Sequence, residues 1–139
     1  MLKTSQKKRI YLLSLCFRII SILSYNLSTI LAEKLETVVS RGDQNTRPRD
    51  YYDIFILSKL QDKNIEIDTL RDALIATSEK RGSKEIMENY EEIIKDVSEN
   101  GVMNQRWNDY RKDFSYASEI EFRDACERVI TILNRIALS

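Results

Sequence analysis

One lysine and two aspartates are the side chains of this sequence best placed to act together, within the stretch LAEKLETVVSRGDQNTRPRDYYDI from Leu31 to Ile54. Lys34 falls on the row between Ile30 and Val38, so its stem runs along an apolar helical stripe. A lysine in that position either snorkels outward or reaches a partner anion. Thr37 follows on the same face. Asp50 and Asp53 share one face of a second helical pattern at i, i+3, close to the positive end of the helix dipole. Arg49 lies four residues before Asp53 and can pair with it. An ammonium facing two carboxylates is a binding arrangement or a salt-bridged joint between packed helices. Charged pairs at helical spacing are usually the latter.

Two helices and a turn must position these groups. Leu27, Ile30, Leu31, Leu35 and Val38 recur at the spacing of one apolar stripe. That helix is expected to stop at Gly42, the residue that most easily takes a left-handed conformation at a helix C-terminus. The next is expected to start near Pro48, whose fixed φ suits a first helical turn.

The wording of the stretch carries a resemblance. AEKLETxxSRG followed by NTRxRDxYDIxxL resembles the C-terminal half of the AbiEii-type nucleotidyltransferases, toxins of a bacterial abortive-infection, type IV toxin–antitoxin system. The resemblance runs from about Ile22 to Leu133 and includes YEEIIKDVSENGVMNQRWNDYRKDFSYA; the first dozen residues do not show it. Lys34 with Thr37 matches the family's lysine motif, and Arg49, Asp50 and Asp53 match its final aspartate motif. The resemblance implies nucleotide transfer from an NTP (GTP in the family's habit) with Mg2+, a cognate antitoxin and a possible RNA acceptor. It also implies that Lys34 contacts a phosphate and that Asp50 or Asp53 orients a substrate hydroxyl, with Thr37, Arg41 and Arg49 as further nucleotide contacts.

Such a transferase also needs carboxylates that hold divalent metal against the triphosphate, and a turn cradling the phosphates. In this superfamily they are a Gly-Ser turn and, about ten residues on, Asp-x-Asp on a strand. The one Gly-Ser here, Gly82–Ser83, precedes KEIMENYEEII, an amphipathic helix pattern in which Glu91 and Glu92 are adjacent. Adjacent residues on a helix diverge by about 100° and cannot form that strand-edge pair. No metal ligands are therefore assigned, and the chain is expected to be catalytically incomplete by itself. The alternative is a non-enzymatic helical interaction module or decayed remnant, self-associating, for example as a homodimer, through its N-terminal apolar segment.

At 139 residues the length suits one domain. The 22 basic and 22 acidic residues balance, so no global field recruits nucleic acid or anionic membrane. The absence of histidine removes the commonest general base and transition-metal ligand. Cys16 and Cys126 sit in separate apolar patterns and read as buried, reduced thiols of a cytoplasmic protein. The basic start and the run Ile10 to Tyr25 imitate a membrane anchor. Arg18 interrupts that run and its apolar pieces are too short to span a bilayer, so no membrane role is assigned. Phe17 to Leu23 suits a buried strand at least as well as a helix.

Three glycines, one proline and long periodic runs point to a mainly α protein. A compact bundle of about six helices is expected, with a possible N-terminal strand left from a nucleotidyltransferase sheet. Residues 1–25 read as the altered or truncated end of a nucleotidyltransferase domain and 26–139 as the C-terminal helical domain. After the central pair, Thr69 with Asp72 suggests a capping box for a third helix burying Leu70, Ala73, Leu74 and Thr77. Ser83 suggests a cap for a fourth, with Ile86, Tyr90, Ile93, Ile94 and Val97 inward. Asn100–Gly101 is a break. A fifth helix carries Met103, Trp107, Tyr110 and Phe114. Ser118 and Glu121 suggest a second capping box, leading a last helix with Phe122, Ala125, Val129, Leu133 and Ile136 inward. Tyr51, Tyr52 and Phe55 beside the aspartates read better as core than as a base-stacking surface. The basic-aromatic group of Arg106, Trp107, Tyr110, Arg111 and Lys112 reads better as a solvated helix face than as an RNA contact.

Overall fold

The computed structural model describes residues 26–138. These residues form seven α-helices joined by short turns, and no strand occurs among them. We number them α1 (26–41), α2 (Pro48–Leu60), α3 (Ile67–Arg81), α4 (Lys84–Met87), α5 (Tyr90–Glu99), α6 (Gly101–Asp113) and α7 (Phe122–Leu138). The N-terminal strand, the apolar segment and Cys16 lie outside the described residues.

The last helix is the spine of the bundle. α7 packs against α2, α3 and α5, and buries Phe122, Ala125, Val129, Leu133 and Ile136 as its sequence periodicity indicated. Cys126 and Ile132 join them, widening the buried stripe. Arginines tie the spine to its neighbours through backbone acceptors. Arg128 donates to the Ser58 hydroxyl and carbonyl on α2, at 2.8 and 2.9 Å. Arg71 of α3 donates twice to the Ile136 carbonyl, at 3.0 and 2.9 Å. Tyr51 on α2 meets Phe122 edge-on at 5.2 Å, and Trp107 on α6 lies 5.6 Å from the same ring.

Several local expectations are corrected. The third helix begins at Ile67 rather than after Thr69; Glu66 takes the cap position, and the Thr69 hydroxyl donates to its carboxylate at 3.2 Å. The pattern from Ser83 to Val97 is two helices, because the chain turns at Glu88 and Asn89. That turn brings Met87 against the core and leaves Ile86 outside. Ser83 precedes α4 without capping it: its buried hydroxyl has no hydrogen-bond partner among the described residues. Ser118 does not cap the last helix either. It closes a 3-10 turn at Ser115–Ala117, and α7 starts from Glu121, whose carbonyl accepts the first amide bonds. Phe114, assigned to the inner stripe of α6, is exposed at that helix's end, where the backbone turns extended.

The turn between α1 and α2 behaves as its residues demand. Gly42 has φ +52° and opens a 3-10 turn, Gly42–Gln44. The side chain of buried Asn45 accepts the Arg47 amide at 2.8 Å, and Pro48 occupies the first turn of α2. Arg106 of α6 donates to the carbonyls of Asn45 (3.0 Å) and Asp43 (3.4 Å), fixing the turn from outside. The basic-aromatic group on α6 is thus largely structural. Trp107 is buried and donates to the Ile120 carbonyl at 2.9 Å, and Arg111 grips the Ser118 carbonyl.

Candidate functional site

Because α1 buries Leu31, Leu35, Val38 and Val39 completely or nearly so, its opposite edge carries Glu33, Lys34, Thr37, Ser40 and Arg41. The turn folds α2 back so that its first residues face that edge. The C-terminal end of α3 closes a third side. Together they enclose a cleft of about 440 Å³, lined by Ile30, those five residues, Glu36, Arg47, Asp50 and Arg81. Ile30 is the single apolar side chain in that lining, which makes the cleft a poor host for a hydrocarbon ligand and a suitable one for a charged, polar molecule.

Lys34 meets both aspartates at the edge of this cleft, which Asp50 lines and Asp53 does not. The Lys34 ammonium lies 2.9 Å from Asp53 Oδ2 and 3.4 Å from Asp50 Oδ1. Arg47 reaches the same Asp50 oxygen at 3.8 Å, and Arg49 lies 3.8 Å from Asp53. The lysine is mostly buried at 21% exposure, and Asp50 is nearly sealed at 4%. Asp50 stands in the first turn of α2, where the helix dipole favours its negative charge. Its second oxygen, Oδ2, is buried and has no hydrogen-bond partner among the described residues. A desolvated, unpartnered carboxylate oxygen is costly and uncommon in a native interior.

Thr37 and Arg41 line the cleft; Arg49 faces Asp53 outside its lining. Thr37 spends its hydroxyl proton on the Glu33 carbonyl at 2.8 Å, so toward the cleft its oxygen acts as an acceptor. Tyr51 is core, and burial first, then nearby Cys126 and Asp50, push its hydroxyl above the usual tyrosine range. Tyr52 is half-buried and packs with Tyr116 at 4.7 Å. Sequence reasoning missed Glu33, Glu36, Ser40, Arg47 and Arg81 among the lining residues. Glu36 is buried and receives Arg81 at 2.5 Å across 45 positions of chain. Of the two arginines, only Arg47 left a local signal, three residues before Asp50.

The donor set does not make a magnesium site. Both aspartates spend an oxygen on Lys34, and no group of three or more acidic, cysteine or histidine side chains suited to a metal occurs among the described residues. What the cleft offers is four cations, three carboxylates and one vacant buried acceptor. No helix among the described residues is long and apolar enough to cross a membrane.

Comparison with known families returns a model described as nucleotidyl transferase AbiEii toxin, type IV TA system, matching residues 5–128. The match starts well before Ile22, so the likeness reaches into the first dozen residues, contrary to the reading of the motifs alone, and it ends before Leu133. No curated protein and no solved structure matches the chain.

Proposed function

The chain belongs to the AbiEii nucleotidyltransferase toxin family of type IV toxin–antitoxin systems, and on that premise we propose that its cleft is the nucleotide-holding half of a transfer site. Residues 26–139 are read as the family's helical C-terminal domain. In this reading the triphosphate of an NTP, GTP by the family's habit, lies against α1. Lys34 places its charge beside the phosphate end nearest α2, and Arg41 and Arg47 supply further cations. Thr37 offers an acceptor to the nucleotide, and Arg49 steadies Asp53 from outside.

The vacant Oδ2 of Asp50 is the observation that carries this reading. In this reading a substrate hydroxyl that reaches it donates a hydrogen bond there and yields its proton as the hydroxyl oxygen attacks the α-phosphorus. The new P–O bond forms as the bond to the β-phosphate bridging oxygen breaks, and pyrophosphate leaves with the electron pair. Lys34, held by both aspartates, orients Asp50 for this role. The family's magnesium would neutralise the transferring phosphates, and its ligands are not assigned to this cleft. These 139 residues contain no Asp-x-Asp, so the chain by itself is expected to bind nucleotide without turning it over. The antitoxin that the family implies would act against the complete site.

Isothermal titration with GTP and Mg2+, followed by a pyrophosphate-release assay, tests this. Saturable binding without release is expected. No binding would refute the nucleotide site, and saturable release by the purified chain would show that the acids of Asp-x-Asp are dispensable.

A further inference from the structure

We propose that Arg81, brought from the end of α3, is a polyphosphate ligand of the cleft and that Glu36 is its resting partner. The inference rests on the reading of the cleft as a nucleotide site. It adds a residue that lies far in sequence from the lysine and aspartate motifs.

The position of Arg81 follows from how α3 ends. Gly82 adopts φ +68°, and the amides of Gly82 and Ser83 return to the carbonyls of Glu79 and Ser78. That left-handed stop halts the helix at Arg81 with its side chain across from α1. Arg81 Nη1 donates to Glu36 Oε2 at 2.5 Å and to Thr37 Oγ1 at 3.2 Å. One nitrogen is therefore engaged. Nε and Nη2 make no hydrogen bond among the described residues, and the side chain is 43% exposed on the cleft wall. Glu36, at 3% exposure, needs a cation beside it, but a single guanidinium nitrogen meets that need and leaves the rest of the fork open.

The open fork is well placed for a linear polyanion. Lys34 and Arg41 lie two turns apart on one face of α1, about 10 Å along its axis at 1.5 Å per residue. Arg81 stands opposite Thr37, between them. A polyphosphate laid along α1 would meet a cation at each end and a planar, bidentate donor at its middle. Glu36 competes with that anion for the same guanidinium, so it sets the affinity as well as the pose.

Calorimetric titration with inorganic tripolyphosphate tests the assignment on the full chain. Arg81→Gln is expected to weaken binding about tenfold, the value of one charge-assisted pair. Arg81→Lys keeps a cation on Glu36 and is expected to restore stability to urea without restoring affinity. Glu36→Gln is expected to tighten binding about threefold, and to have no such effect in the Arg81→Gln background. If Arg81→Gln and Arg81→Lys bind as the wild type does while Lys34→Met loses binding, Arg81 is only a strut and the nucleotide cleft stands without it. If the wild type binds neither tripolyphosphate nor GTP, the inference and the reading beneath it both fall.

Discussion

Lys34 stands between two carboxylates, one of them nearly sealed from solvent. Removing its charge leaves Asp50 buried with Arg47 alone at 3.8 Å. Lys34→Met is therefore expected to cost about 2 kcal/mol in urea unfolding, less than a fully buried pair because the lysine is partly exposed and Arg47 remains. It should also abolish GTP binding. Adding Asp50→Asn removes the stranded charge, so the double variant should recover most of the stability and none of the binding. If binding returned with stability, Lys34 would be a structural joint and nothing more. The meeting of Lys34 with Asp50 and Asp53 was legible in the sequence because two helical periods and one turn bring them together locally. The Glu36–Arg81 pair was not, since no local pattern brings a residue of α1 against the end of α3.

At the scale of elements, the short turn from Gly42 to Arg47 sets how α2 addresses α1. Gly42 is at φ +52°, where an added Cβ would meet Ile93 Cγ2 at an ordinary 3.5 Å. The penalty of Gly42→Ala is then conformational, about 1 kcal/mol. Arg106→Ala should cost about 1–2 kcal/mol through its two backbone acceptors. It should also weaken nucleotide binding, although Arg106 is not part of the cleft lining, because the turn that aims Arg47 and Asp50 is loosened. Unchanged GTP affinity in a folded Arg106→Ala protein would show that the turn does not set the site. Gly42 and Pro48 bracket the turn as their chemistry requires. The capping boxes read at Thr69 and Ser118 failed, because Glu66 and Glu121 take those helix starts and the side chains reach no orphan amide. The pattern from Ser83 to Val97 hides its break for a related reason. Its stripe keeps a helical period throughout, yet the chain turns at Glu88 and Asn89, and Met87 rather than Ile86 meets the core.

Across the whole molecule, α7 joins the core to the cleft through Tyr51, the neighbour of Asp50, and its own Cys126 is buried. Burial, followed by nearby Glu127, pushes the Cys126 thiol from 9.0 up to about 12, and Tyr51 rises in the same direction. In the unfolded chain both groups release protons at lower pH than in the folded one. Stability is then fully present below pH 9.0 and falls as pH rises from there toward about 12. Urea midpoints measured between neutral and alkaline pH should fall in that window, with a shallower fall in Cys126→Ala. In a Cys16→Ser background, Cys126 should resist alkylation until the protein unfolds; ready labelling of the native state would contradict its burial. The chain belongs to the AbiEii family, and the proposed function puts the cleft, more than the spine, at the centre of its activity. Amide chemical shifts followed by NMR during a GTP titration test that most directly. The expected result is saturable change confined to residues 33–41 and 47–53 and to Arg81. Saturable change centred instead on Glu91, Glu92, Asp96 and Glu99 of α5, or none at all, would contradict it.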